Sequence, residues 1–130
     1  MKLTRASDFA IRLMVYLASG KGSTKSIEIA RELGVPFNHL SKLVQTLSRG
    51  GLLITRKGKN GGISLAADPK KTSVVEVIET IEGPLSFSDC ILNLACCKNS
   101  KNCKFRKRLS KAQNLMRDSL SKSTISELVL

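Results

Sequence analysis

Between residues 7 and 19, Ile11, Met14, Leu17 and Ala18 recur at helical spacing, which predicts a helix with one apolar face. Gly20-Lys21-Gly22 ends it. Ser23-Thr24-Lys25-Ser26 opens a second helix, whose apolar series is Ile27, Ile29, Ala30 and Leu33. Gly34-Val35-Pro36 follows. The glycine suits a tight turn, and the proline suits the first turn of the next helix. Residues 37–49 form that helix, with Leu40, Leu43, Val44 and Leu47 on one side, and Gly50-Gly51 stops it.

The pattern then changes. Residues 52–57 have strand character, residues 58–62 (Gly-Lys-Asn-Gly-Gly) form a hairpin turn, and residues 63–65 are the returning strand. After Asp68-Pro69 a helix is expected over about 72–82, with Val74, Val77, Ile78 and Ile81 inward, until Gly83-Pro84 breaks it. From Asn102 onward a long helix carries Phe105, Leu109, Ala112, Met116 and Leu120 as a stripe. An apolar stripe on a terminal helix with no obvious partner in the chain predicts a dimer seam, the alternative being packing on its own domain.

Helix, turn, helix and hairpin in this order describe a winged helix-turn-helix. The fold class is therefore mainly α with a small β-hairpin wing. Residues 1–67 are the DNA-binding domain, and 68–130 hold the dimerisation helix and a loop at 90–103. The polar face of helix 37–49 carries Asn38, His39, Ser41, Lys42 and Gln45, which reach base edges and phosphates when such a helix enters a major groove. The hairpin adds Arg56, Lys57, Lys59 and Asn60, with glycines at its tip for close backbone approach.

Charge strengthens this picture. Lys and Arg number 22 against 10 acids, a formal net charge of +12. Such an excess favours a polyanionic partner, most often nucleic acid. It is also unevenly placed: residues 36–67 contain no acid, and neither do residues 90–117. With no Trp, one Tyr and four Phe, base stacking of the single-strand-binding kind is not expected. No apolar run is long enough to span a bilayer, and the N-terminus lacks the features of a signal peptide, so the expected location is cytoplasmic. No acid–base pair, Ser–His arrangement or phosphate-binding glycine loop suggests an enzyme.

All four cysteines, Cys90, Cys96, Cys97 and Cys103, lie within fourteen residues. In a reducing compartment such thiols bind metal or do redox chemistry rather than form a disulfide framework. No pair has the two-residue gap of a zinc knuckle or a Cys-x-x-Cys motif. Gaps of five and six residues let the loop wrap a larger object, such as an iron–sulfur cluster. Lys98, Lys101, Lys104, Arg106, Lys107 and Arg108 are expected to favour ionised thiols, as is a helix N-terminus near Cys103. One of the adjacent Cys96 and Cys97 is expected to be spare. Three thiolates are too few for a four-iron cluster without another ligand, and the only histidine, His39, lies on the DNA-facing helix.

Several segments together resemble the Rrf-two-type winged-helix regulators, the group that includes the nitric-oxide-sensing NsrR type and the iron–sulfur IscR type. They are Met1-Lys2-Leu3-Thr4 with Asp8-Phe9-Ala10, Asn38-His39-Leu40, Arg56-Lys57-Gly58-Lys59-Asn60-Gly61-Gly62 and Ile81-Glu82-Gly83-Pro84-Leu85. The resemblance spans nearly the whole chain. It implies a dimeric DNA-binding transcription regulator, expected to be a repressor, with crossing C-terminal helices. It also implies a 4Fe–4S cluster held by Cys90, Cys97, Cys103 and Asp8 from the partner subunit, and nitric oxide as the signal. The five-residue gap typical of the last two ligands selects Cys97 over Cys96. IscR-like members use a histidine where this chain has Arg106. The alternatives are a 2Fe–2S regulator of iron or redox status, or a thiol or zinc-binding protein without a cluster.

Overall fold

The computed structural model describes residues 3–130; Met1 and Lys2 of the N-terminal motif lie outside them. Six α-helices and one two-stranded sheet follow in the order α1 (Arg5–Ala18), α2 (Ser26–Leu33), α3 (Phe37–Arg49), β1 (Leu53–Arg56), β2 (Gly62–Leu65), α4 (Val74–Glu82), α5 (Asp89–Leu92) and α6 (Lys104–Lys122). This is the expected winged helix-turn-helix, and α3 has the predicted bounds.

Local chemistry sets the boundaries. Thr4 caps α1 by accepting from the Ser7 N–H at 3.2 Å. Ser73 caps α4 by accepting from the Glu76 N–H at 3.2 Å. Hydroxyl caps of this kind satisfy donors that a helix start leaves unpaired. Gly34 ends α2 in the left-handed region, at φ 64°, where a side chain would be strained, and so turns the chain into α3.

The core joins Leu13, Met14, Ile29, Leu40, Leu47 and Ile63, each at most 2% exposed. Val77 of α4 and Ile125 belong to the same core, although both lie beyond residue 67. The wing pairs antiparallel, with Leu53 opposite Leu65 and Arg56 opposite Gly62. A contact the alternation did not predict anchors it: Thr24 and Ile63 exchange backbone hydrogen bonds at 3.1 and 2.8 Å. The chain end makes a similar return. The Val74 N–H donates to Ser123 O, and the Ile125 N–H to Thr72 O, both at 2.9 Å.

Two carboxylates tie α4 to its neighbours. Glu79 receives Arg117 of α6 through two hydrogen bonds, at 3.1 and 2.9 Å. Glu82 receives the hydroxyls of Thr4 and Ser7 at the start of α1. The Arg117 hydrogen bonds hold the Glu79 carboxyl below the usual carboxylate range, against partial loss of water. Ser7, then Thr4, do the same for Glu82. Depressed carboxyls give stability that is complete above the ordinary carboxylate range and is lost as pH falls through the lowered values. The urea midpoint is therefore expected to drop on acidification, and to drop less steeply in Glu79→Gln. Equal slopes for parent and variant would remove Glu79 from this account.

Helix α6 packs little on its own protomer. Gln113 is its only buried residue. Phe105 is 70% exposed and Leu115 64%. Ala112 is exposed, whereas Leu109, Met116 and Leu120 of the predicted stripe are half-buried. An open groove of about 980 Å³ runs beside this helix, lined among others by Ile11, Ile78, Leu85, Phe87, Met116 and Leu120.

Candidate nucleic-acid interface and thiol loop

Helix α3 divides cleanly. Leu40, Leu43, Val44 and Leu47 are buried, which fixes the helix against the core. Asn38, His39, Lys42 and Gln45 are exposed, and Ser41 is half-buried. Positions 38, 41, 42 and 45 are three, four and seven residues apart and share one helix face. The Leu52 N–H donates to Leu47 O at 2.9 Å, so the first wing strand starts directly from the end of α3.

Arg56, Lys57, Lys59 and Asn60 are all exposed on the wing. Among the described residues the ion pairs are Arg12–Asp8, Lys21–Glu32 and Arg117–Glu79. None of them engages a cation of α3 or the wing, so this face presents uncompensated positive charge. Such a surface neutralises phosphates and releases their counterions.

The wing glycines have a reason beyond turn flexibility. A Cβ on Gly61 would lie 2.2 Å from the Arg56 carbonyl oxygen. The obstacle is backbone and has nowhere to go. Gly61→Ala is expected to open the tip and destabilise the wing by about 1–3 kcal/mol, in the range of other overpacking changes. Hydrogen exchange reads this directly, because the Gly61 N–H donates to Gly58 O at 3.0 Å. Undiminished protection of that amide would contradict the steric account.

The loop that follows α4 is more structured than expected. It contains the short helix α5 and a 3-10 turn, Leu94–Cys96, capped by Asn93, whose side chain accepts from the Ala95 N–H at 2.9 Å. Ser100, only 5% exposed, closes it from behind. Its N–H donates to Cys97 O at 3.1 Å, and its hydroxyl donates to Leu94 O. Helix α6 grips the other side of the loop. Arg106 Nε donates to Cys90 O at 2.7 Å, and Gln113 Oε1 accepts from the Phe87 N–H at 2.8 Å. Residues 106, 113 and 117 sit on one face of α6, so a single polar seam holds both the loop and α4. The apolar periodicity of α6 gave no sign of this seam.

All four thiols are free, with Cys90 and Cys103 half-buried and Cys96 and Cys97 exposed. Cys103 is the N-cap of α6, and its sulfur accepts from the Arg106 N–H at 3.4 Å. The Cys90 sulfur lies 3.2 Å from the Ser88 hydroxyl. Cys96 departs from the expected effect of the basic loop. Its thiol is pushed up by partial loss of water, then by the nearby Cys90 and Cys97 sulfurs and the Asp89 carboxylate, against the lowering effect of Arg106. The loop lysines, Lys98, Lys101 and Lys104, are exposed to solvent. Asp89 was not singled out from sequence; its position beside Cys90 was the available signal.

Among the described residues no three Cys, His, Asp or Glu side chains converge as ligands of a single metal ion. Within the protomer Asp8 therefore does not join the cysteines; its carboxylate pairs with Arg12 at 3.0 Å and is about half exposed. His39 stays on the α3 face. The donor chemistry suits an iron–sulfur cluster better than a lone ion. The thiols form no disulfide, two of them are exposed, one is at a helix N-terminus, and their wide spacing matches a bulky group.

A family model, Rrf2, described as iron-dependent transcriptional regulator, matches residues 3–130. The fold is similar to that of CymR, the global cysteine regulator of B. subtilis, at 24% identity and a TM-score of 0.79, covering 98% of this chain and 95% of that one. Staphylococcus aureus CymR is 25% identical, with a TM-score of 0.75 over 96% and 95% of the two chains. IscR of T. potens is 22% identical, with a TM-score of 0.79 over 98% and 85%.

Proposed function

We propose, because this chain belongs to the Rrf2 family of transcriptional regulators, that it is a repressor whose hold on operator DNA depends on an iron–sulfur cluster in the thiol loop. The family consists of DNA-binding regulators that generally act as dimers, not of enzymes. Residues 1–67 read DNA through Asn38, His39, Ser41, Lys42 and Gln45 in the major groove, with Arg56, Lys57, Lys59 and Asn60 on the flanking backbone. Residues 68–130 supply the dimer helix and the loop. The second copy packs along α6, over the exposed Phe105 and the adjoining apolar groove. No helix among the described residues is long and apolar enough to cross a membrane. The site of action is the cytoplasm, where thiols stay reduced.

Cys90, Cys97 and Cys103 hold the cluster, of 4Fe–4S type, and Asp8 of the partner subunit completes it. When bound, the cluster would supply iron as a centre reactive towards nitric oxide, and the Asp8 carboxylate, a harder ligand than thiolate, would match that iron less well than the three cysteines. The protein's part is to transmit the loop's position. Arg106 ties Cys90 to α6, Arg117 ties α6 to α4, and Glu82 ties α4 to α1. A signal must favour one dimer geometry over another by a few kcal/mol to switch DNA binding. The observation that carries the proposal is this set of polar ties from the thiol loop through α6 and α4 to α1, which packs against α3.

Anaerobic iron and sulfide counting with a visible spectrum, followed by operator binding before and after nitric oxide, tests it. Brown protein that releases DNA on exposure is expected. Colourless protein after anaerobic reconstitution, or unaltered DNA binding, refutes the proposal. A spectrum of 2Fe–2S type would replace the nitric-oxide reading with an iron or redox sensor, and one zinc without iron would replace both. Asp8→Ala is expected to loosen the cluster, seen as faster iron loss to a chelator. The Arg12 pair is surface-exposed and costs little to break, about 0–1 kcal/mol, so it does not hold Asp8 back. An unchanged rate would leave Asp8 only its first-turn role in α1.

A further inference from the structure

Cys96 is the one thiol of the loop to which the proposed function gives no work, yet its placement mirrors that of Cys97. Cys90 and Cys96 enclose five residues, and so do Cys97 and Cys103. Either middle cysteine therefore leaves one five-residue and one six-residue arm between the same two anchors. Both thiols are exposed. The backbone changes between them, from the 3-10 turn that ends at Cys96 to an extended Cys97 at φ −144° and ψ 133°.

The flanks are fixed. Ser100 holds the carbonyls of Leu94 and Cys97, and Asn93 holds the Ala95 N–H. Cys90 is tied to α6 through Arg106, and Cys103 is itself the cap of α6. What remains adjustable is the peptide unit joining Cys96 to Cys97. From this geometry we infer that Cys96 and Cys97 are interchangeable as the middle thiolate ligand, with one bound and the other in reserve. This rests on the iron–sulfur function proposed above.

Exchange breaks one sulfur–iron bond and forms another. It moves one proton from the Cys96 sulfur to the Cys97 sulfur, or back, and leaves the charge unchanged. Because the reserve thiol is one residue away, its capture of a vacated position is intramolecular, at a high effective concentration. Cys90 and Cys103 need not move.

The test uses the full chain, reconstituted anaerobically with iron and sulfide, as parent, Cys96→Ser, Cys97→Ser, the double variant and Cys90→Ser. Iron and sulfide per chain are counted, and the reconstituted parent is alkylated with iodoacetamide and mapped by mass spectrometry. Each single variant is expected to keep most of the parent's iron, while the double variant falls to the level of Cys90→Ser. The label is expected at Cys96 in some molecules and at Cys97 in others, never at both. The inference is overturned if either single variant loses iron as completely as the double variant, or if all label sits at one position. A Cys90→Ser chain as iron-rich as the parent would instead refute the loop ligand set itself. Both thiols are exposed, so neither single change threatens folding.

Discussion

Replacing Arg56, Lys57 and Lys59 together by Gln is expected to weaken binding to duplex DNA by roughly 100-fold at physiological salt. The estimate follows from counterion release, about 0.9 ion per phosphate contact, so each lost contact costs about 0.7 of a tenfold step near 0.15 M salt. Three contacts make about two such steps, and the slope of log affinity against log salt flattens by nearly three. All three side chains are exposed and outside the ion pairs of the described residues, so their removal costs the fold little. The loss is expected on a selected operator fragment and on random duplex alike, because phosphate contacts carry no sequence information. Titrations at several salt concentrations decide it. A slope equal to the parent's would mean that the wing does not touch DNA.

Ile125→Ala is expected to destabilise the protein by about 2–5 kcal/mol, the cost of a large-to-small change in a packed core. Ile125 is 0% exposed and belongs to the core built mainly by α1, α2 and α3. It reaches that core because residues 123–125 pair with residues 72–74 through two backbone hydrogen bonds. For a domain of this size the thermal midpoint should fall by roughly 7–18 °C. Leu130, fully exposed, serves as the control, since Leu130→Ala removes no buried surface. A loss below about 1 kcal/mol at Ile125 would be outside the range for a filled core site.

These two sites, the wing and Ile125, mark how far the sequence could be read. The wing was legible because a strand, a glycine-rich turn and an acid-free basic run coincide there. Helix α3 was legible to the residue because a proline, an apolar face and a glycine pair mark its start, length and end. Ile125 was not, because a lone isoleucine after a helix has no period, and its burial depends on a distant backbone pairing. Helix α6 shows the opposite limit. Its apolar stripe was visible, but Arg106, Gln113 and Arg117 form the seam that holds the loop, and polar residues on a charged helix give no such signal beforehand. The thiol loop fell between the two. Its donors were plain from composition, but its internal 3-10 turn and the buried Ser100 depend on hydrogen bonds that no local pattern encodes.

Helix α4 has a consequence of its own through one tight contact. A Cβ on Gly50, at the end of α3, would lie 2.5 Å from the Thr80 methyl carbon of α4, so any larger residue there would have to push that side chain aside. Glu82 of α4 also holds α1, and Glu79 holds α6, so under the proposed function α4 would be the fulcrum of a lever whose far end is α3. In a dimer whose recognition helices sit one DNA turn apart, about 34 Å, each helix lies about 17 Å from the symmetry axis. A tilt of about 5° about that axis then sweeps the helix through about 1.5 Å, which takes hydrogen bonds with a narrow distance range out of reach. Under the proposed function, a nudge too small to disturb the core would thereby be enough to spoil the match to two half-sites at once.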